Sequence, residues 1–232
     1  MASFTLVLLA LLVLSVTSQP VVLEKLSQVY LPFEFSENGD PVFCLGEAAA
    51  EQITFDSNAA LLYVSGNQQL RVLDLSDPAN PVVIATQSVP GEITDVAYCG
   101  NYVAASVPSD PESLPGRVFI YSSYSEGDGL ELQYEVEVGA LPDSIVFTKD
   151  CGRLIAGNEG EAGVNRRGEF TNPEGSVTII DMEALEQGEE ATQTVDFTSF
   201  NDDPTSAMDA GVRWIWRGQG LRPAMRDRKS VV

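Results

Sequence analysis

The chain has 232 residues, 44% of them hydrophobic, so it is long enough to bury one large core or two small ones. Its 34 acidic and 13 basic residues give a formal net charge of −21, which disfavours nucleic acid and anionic membranes as partners and favours cations or basic surfaces. The absence of histidine excludes Ser-His-Asp and Cys-His catalytic arrangements and histidine-ligated zinc or iron.

The first 18 residues are predicted to be a secretory signal peptide. The apolar run Phe4–Val16 is followed by Thr17 and Ser18, small residues that suit cleavage before Gln19. The run is too short to span a bilayer and no second apolar stretch of spanning length follows, so we expect a secreted, extracellular protein without a transmembrane span. An apolar N-terminal strand is the alternative, although the run lacks strand alternation.

Residues 19–211 are predicted to form a partial, all-β, propeller-like domain. Ile53, Val96 and Ile145 begin three units with the same order of short strands and turns, 43 and 49 residues apart. A repeat of roughly 40 to 50 residues with four strands is typical of a β-propeller blade. Because propellers close with about four to eight blades, three units predict an incomplete ring. A β-sandwich with irregular loops is the alternative.

The outer strand of the second unit has the clearest alternation. Hydrophobic residues occupy every second position of residues 130–138, which predicts that they share one face of the strand. The predicted members of this face are Leu130, Leu132, Tyr134, Val136 and Val138.

Three cysteines fit an oxidising compartment with one disulfide and one free thiol. Cys99 and Cys151 occupy similar turns in successive units, which favours them as the pair and leaves Cys44 over. Three unpaired cysteines in the core are the alternative, and the spacing alone does not choose the connectivity.

Residues 212–232 differ in charge from the rest of the chain. Residues 1–212 contain 33 acidic and 7 basic residues, whereas residues 213–232 contain 6 basic residues and one acidic residue. The segment has neither strand alternation nor the pattern of the repeated units. We interpret it as an aberrant or alternative C-terminus, produced by a shifted reading frame, an alternative exon or an error in the gene model. A genuine basic tail for acidic partners is the alternative.

A glycine-flanked acidic loop in the third unit is the strongest candidate binding site. Glycine lets the backbone turn its carbonyl oxygens inward beside carboxylate and amide oxygens, and such oxygens are the ligands of Ca²⁺. Extracellular calcium sites bind at about 0.1 to 1 mM. No EF-hand spacing is present, and a solvated acidic loop is the alternative. The predicted ligands are Asp143, Asn158, Glu159, Glu161 and Glu174.

Two segments, Leu141–Glu161 and Asn172–Asp181, combine a Pro-Asp strand entry, an Asn-Glu-Gly-Glu loop and a Pro-Glu-Gly-Ser strand start. With this combination the chain resembles the propeller-like domain of the mesenchyme-specific cell-surface glycoprotein family of biomineralising marine animals. The same domain occurs in bacterial secreted proteins of the choice-of-anchor I type. The resemblance covers residues 52–211 and implies a secreted or surface-anchored glycoprotein associated with deposition of calcium carbonate.

Two functions are compatible with these features. The first is a non-catalytic, secreted acidic protein that binds calcium or calcium carbonate mineral and extracellular matrix proteins. The second is a calcium-dependent phosphoesterase, alkaline-phosphatase-like or phytase-like, as the names of some bacterial relatives imply. Missing histidines remove the usual zinc phosphatase site, and no Gly-x-Ser-x-Gly or phosphate-loop motif replaces it. The sequence therefore favours binding over catalysis.

Overall fold

A computed structural model describes residues 23–44, 49–164, 168–201 and 204–211. The predicted signal peptide and the basic segment 212–232 lie outside the described residues. Within them the fold is all-β, as predicted, and consists mainly of three four-stranded antiparallel sheets that follow one another along the chain. Each predicted unit forms one of these sheets.

The strands are numbered in chain order. An N-terminal hairpin pairs β1 (Glu34–Phe35) with β2 (Pro41–Val42). The first sheet contains β3 (Ile53–Asp56), β4 (Leu61–Gly66), β5 (Gln69–Asp74) and β6 (Val82–Ser88). The second sheet contains β7 (Asp95–Cys99), β8 (Tyr102–Val107), β9 (Pro115–Ser122) and β10 (Leu132–Ala140). The third sheet contains β11 (Pro142–Phe147), β12 (Arg153–Asn158), β15 (Ser176–Asp181) and β16 (Thr192–Asp196).

The remaining elements are short. A hairpin of β13 (Gly163–Val164) and β14 (Phe170–Thr171) lies within the connection from β12 to β15. Helix α1 (Met182–Gln187) follows β15, and a 3-10 turn (Thr198–Asn201) and helix α2 (Pro204–Asp209) follow β16. Asp181 caps α1, since its side chain accepts hydrogen bonds from the backbone N–H groups of Glu183 and Ala184.

The second sheet is buried on both faces. One face packs on the first sheet through Val103, Ala105 and Phe119, and the other packs on the third sheet through Ala104 and Ile120. Because both faces of β8 are covered, its sequence reads as a nearly continuous run of small and apolar residues rather than an alternation. The second sheet therefore joins two hydrophobic cores into one structure.

The first strands of the three sheets lie side by side, with β7 between β3 and β11. The backbone N–H of Tyr98 donates to Thr54 Oγ1 at 3.2 Å, which links β7 to β3. The backbone N–H of Ile145 donates to Asp95 Oδ2 at 2.7 Å, which links β11 to β7. Since the strands of each sheet follow in order from this shared edge, the fourth strands of the sheets lie away from it.

The structure corrects the prediction that the alternating hydrophobic residues of 130–138 share one apolar face of the outer strand. Leu130 precedes β10 and belongs to the core between the first and second sheets, whereas Val136 and Val138 belong to the core between the second and third. Leu132 is half exposed. The register of β10 against β9 shifts between Leu132 and Tyr134, and such a bulge ends the simple alternation of faces.

A disulfide joins Cys99 and Cys151, whose Cα atoms are 5.6 Å apart. Cys99 is the last residue of β7 and Cys151 lies in the turn that follows β11, so the bond ties the second and third sheets together at one end. Cys44 is a free thiol and is exposed.

The N-terminal segment packs against the first sheet through a buried arginine. Arg71 on β5 donates hydrogen bonds to the carbonyl oxygen of Ala49 at 3.0 Å, to that of Pro32 and to Gln69 Oε1. Burial lowers the pKa of its guanidinium group. Gly66 is required beside it, because a Cβ there would lie 2.2 Å from the Ala49 carbonyl oxygen.

We predict that the Cys99→Ala, Cys151→Ala variant loses roughly 4 kcal/mol of unfolding free energy, because the unfolded chain is no longer closed into a loop across a separation of 52 residues. Urea denaturation under non-reducing conditions measures this loss. Cys44→Ala is the control and should stay within about 0.5 kcal/mol of the wild type. Equal stability of the double variant and the wild type would contradict the prediction.

Candidate functional site

Loops from all three sheets meet at one end of the molecule around a cleft of about 740 Å³. In antiparallel sheets, every second connection lies at the same end. Here these are the β4–β5, β8–β9 and β12–β15 connections, together with the β6–β7 connection between the first two sheets. We call this end the loop face. The cleft is lined by residues from each of the four connections.

The cleft combines apolar walls with carboxylates. Pro90, Pro108 and Pro111 line it together with the buried side chains of Val107 and Phe119. Its acidic lining residues are Glu92, Asp110, Glu112 and Glu161. Among the described lining residues the basic one is Arg117, and its guanidinium forms an ion pair with Glu135 on β10. The described lining is therefore acidic.

Three of the predicted calcium ligands lie together beside this cleft. Partial burial raises the pKa of Glu159, and repulsion by Asp143, Glu161 and Glu112 raises it further. Glu112 and Glu161 line the same cleft, and the backbone N–H of Glu159 donates to the carbonyl of Leu141, two residues before Asp143. The four carboxylates therefore share one region of the loop face. Glu112 comes from the β8–β9 connection of the second sheet, and the others belong to the third sheet and its loop.

Asn158 has a different position from the carboxylates. It is buried at the end of β12, where its Nδ2 donates to Ser176 Oγ at 3.0 Å and Thr178 Oγ1 at 2.9 Å. Its Oδ1 accepts no hydrogen bond from the described residues. These contacts make Asn158 a buried link between β12 and β15.

Glu174 is exposed, and its backbone packs against Gly160 at the start of the acidic loop. Gly160 has a φ of +64°, and a Cβ at this position would lie 2.6 Å from the Glu174 carbonyl carbon. The loop is also fastened to Leu141, between β10 and β11, because the Glu159 N–H donates to the Leu141 carbonyl at 2.8 Å. Glycine at position 160 therefore allows the two ends of the acidic loop to approach each other.

Sequence reasoning missed the contribution of Glu92 and Glu112. The repeat contains the signal for Glu112, because the connection that holds it occupies the same place in the second unit as the acidic loop in the third. Aligning the loops as well as the strands would have placed both loops at one end of the sheets. Glu92 lies in a short connection between sheets, where the sequence has no comparable signal.

The carboxylates have the right donor chemistry for a hard cation but do not form a closed cage. Among the described residues, no group of three or more acidic or cysteine side chains is arranged to hold a metal ion. A cation on this face would keep much of its hydration shell. The arrangement is suited to weak binding of cations and to attraction of basic groups.

A family model for the choice-of-anchor I domain matches residues 51–227, which is more than half of the chain. The chain belongs to the choice-of-anchor I family. The resemblance seen in the sequence is therefore confirmed. The match extends into the basic segment, whose interpretation as an aberrant or alternative C-terminus stays a prediction.

The chain is also similar to a mesenchyme-specific cell surface glycoprotein from Strongylocentrotus purpuratus, with 31% identity over 142 residues. The aligned region covers 60% of this chain and 18% of the relative, so the chain spans about a fifth of the relative's length. Among solved structures, hydrazine synthase from Kuenenia stuttgartiensis aligns with a TM-score of 0.41 and 12% identity, over 66% of this chain and 51% of that one. In the described part of the choice-of-anchor I chain, no helix is long and apolar enough to cross a membrane.

We predict that Gly160→Ala lowers the free energy of unfolding by about 1 to 3 kcal/mol, because the residue has a left-handed backbone and the new Cβ would collide with the Glu174 backbone. Gly157→Ala is a matched control, since its Cβ would meet the Ser144 carbonyl oxygen at an ordinary 3.7 Å. Chemical denaturation compares the two variants. A loss at position 157 as large as that at position 160 would show that the close approach is not the cause.

We predict that Glu159→Gln raises the melting temperature at pH 7 and that this gain disappears below about pH 4. The raised pKa means that the folded state holds the Glu159 proton more tightly than the unfolded state does. Ionisation of Glu159 therefore destabilises the folded protein as the pH rises above the ordinary value of 4.5, and neutral glutamine avoids this cost. Melting curves from pH 3 to 8 test the prediction.

Glu189→Gln removes one charge from an exposed residue just after α1 and serves as the control for net charge. Its gain at pH 7 should be smaller than that of Glu159→Gln. Equal gains would attribute the effect to the overall charge of −21 rather than to the carboxylates around Glu159.

Proposed function

We propose that this choice-of-anchor I chain is a secreted, non-catalytic binding module of propeller-like architecture. Its acidic loop face would bind calcium or calcium carbonate mineral and extracellular matrix proteins. The proposal agrees with the similarity to a cell surface glycoprotein. The observation that carries it is the acidic lining of the cleft, to which Glu112 of the second sheet and Glu161 of the third sheet both contribute.

The propeller-like arrangement is supported by the way the sheets pack. Three four-stranded meanders stack face to face, and their first strands lie side by side as the inner strands of blades would. Apolar side chains remain exposed on the first and third sheets, including Ile53, Phe55 and Val146. Neighbouring blades in a ring would cover these faces. We accordingly treat the three sheets as successive blades.

Weak calcium binding is supported by the charge and chemistry of the loop face. Asp143, Glu159 and Glu161 were predicted as ligands, and Glu112 adds a fourth carboxylate. Ionised carboxylates that repel one another gain most from a nearby divalent cation. Because the described carboxylates do not surround a metal position, the dissociation constant for calcium should lie at the weak end of extracellular sites, at about 1 mM. Such an ion could also be shared with carbonate or with a partner's carboxylate.

The phosphoesterase alternative has less support. The chain contains no histidine, and the described carboxylates do not form a group that would fix a metal ion beside a substrate. A phosphatase assay with and without calcium would separate the two functions. Calcium-dependent turnover that is lost in Glu159→Gln, Glu161→Gln would favour the enzyme.

We predict saturable calcium binding in the range of about 0.1 to 1 mM by calorimetry. At 10 mM calcium and an affinity of 1 mM, the folded state should gain about 1.4 kcal/mol, seen as a higher melting temperature. Glu159→Gln, Glu161→Gln should abolish the heat and the shift, because it removes two charges from the group.

The matched control is Glu189→Gln, Glu190→Gln, which removes the same charge from exposed residues between α1 and β16. This control should keep both the heat and the shift in melting temperature. Loss of calcium binding in both double variants would indicate a diffuse attraction to the whole acidic surface. Absence of any saturable heat in the wild type would refute calcium binding at this face.

A further inference from the structure

We propose that the cleft on the loop face binds an arginine- or lysine-bearing peptide segment of a protein partner. This deepens the proposed function, since it assigns a class of matrix or surface partner to the same face. The proposal rests on the shape and chemistry of the cleft. It does not depend on whether the loop face binds calcium.

The charged side chains that line the cleft are mostly carboxylates, which act as hydrogen-bond acceptors. Carboxylates accept hydrogen bonds and donate none when ionised, and proline has no backbone N–H. The lining contains four acidic residues and three prolines, and its basic residue, Arg117, is paired with Glu135. A ligand that pairs with these carboxylates must bring hydrogen-bond donors. Arginine and lysine are the cationic side-chain donors, and their hydrogen bonds to carboxylates are strengthened by charge.

The apolar part of the cleft suits the stems of these same side chains. Val107 and Phe119 line the cleft with largely buried side chains, and Pro90, Pro108 and Pro111 supply rigid walls. Arginine and lysine place long methylene chains against apolar surface while their charged ends reach carboxylates. A volume of about 740 Å³ lies within the usual range of clefts that bury a ligand. A single hydrated metal ion would leave most of it unfilled.

Three acidic residues of the lining, Glu92, Glu112 and Glu161, form no ion pair within the described part of the chain. They come from three different connections, so their negative potential spans the cleft rather than one loop. The repulsion that raises the pKa of Glu159 extends the same potential to the rim. Together with the net charge of −21, this field would attract and orient a basic segment.

The test is a titration of fluorescein-labelled hexa-arginine, with the complete purified chain, followed by fluorescence anisotropy in EDTA. We expect saturable binding that weakens about ten-fold or more in Glu112→Gln, Glu161→Gln, because two charged hydrogen bonds are lost. Glu189→Gln, Glu190→Gln should change the affinity less than about two-fold. Hexa-citrulline, which has the same shape without charge, should not bind.

A second variant tests the cleft without altering charge. Ala162→Trp places a large side chain in the lining and should weaken hexa-arginine binding by about ten-fold, with Ser113→Trp as an independent version. Thermal melting verifies that these variants fold. Wild-type affinity in both folded tryptophan variants would overturn the proposal, because the peptide would then lie outside the cleft. Equal losses in the two glutamine double variants would also overturn it, since net charge alone would explain binding.

Spermine distinguishes a peptide from a small polyamine, and it should compete at least about ten-fold more weakly than unlabelled hexa-arginine. Equal competition would assign the cleft to polyamines and overturn the proposal. Failure of calcium binding in calorimetry would leave the peptide titration in EDTA unaffected. Failure of the peptide titration would leave the calcium result standing, so the two proposals are tested separately.

Discussion

Burial of the second sheet on both faces is the constraint on which the other parts of the structure depend. Its strand β8 contributes Val103 and Ala105 to one core and Ala104 to the other, so the two hydrophobic cores share this strand. Close packing of this kind fixes the sheets relative to one another. The connections at each end are therefore held in place by sheets that cannot slide independently.

The acidic loop face follows from that constraint. Glu112 lies in a loop of the second sheet and Glu161 in a loop of the third, and the packing of the sheets brings both to the same cleft. Repulsion among these carboxylates costs the folded protein stability at neutral pH, and Gly160 holds the loop in a backbone conformation that few other residues tolerate. Local losses of folding stability of this kind, concentrated at one end of the molecule, are typical of a binding surface.

Membership of the choice-of-anchor I family sets the context for this face. The similar sea urchin protein is a cell surface glycoprotein, and the chain aligns with about a fifth of it. Calcium and a basic peptide are the two ligands proposed for this acidic surface, and they would differ in what they require. Calcium would need carboxylate oxygens alone, whereas a peptide would also contact the proline and phenylalanine walls of the cleft.

The sequence by itself determined the all-β fold, the three four-stranded units and the acidic loop, because strand alternation, turn residues and loop composition are local properties. It favoured the pair Cys99 and Cys151 on the same local grounds, and the structure joins them. Only the tertiary structure decided that Leu130 belongs to a different core from Val136, that Asn158 is buried, and that Glu112 lies close to Glu159. These facts depend on a strand bulge and on contacts between sheets, which join residues far apart in the chain and leave no periodic signal in it.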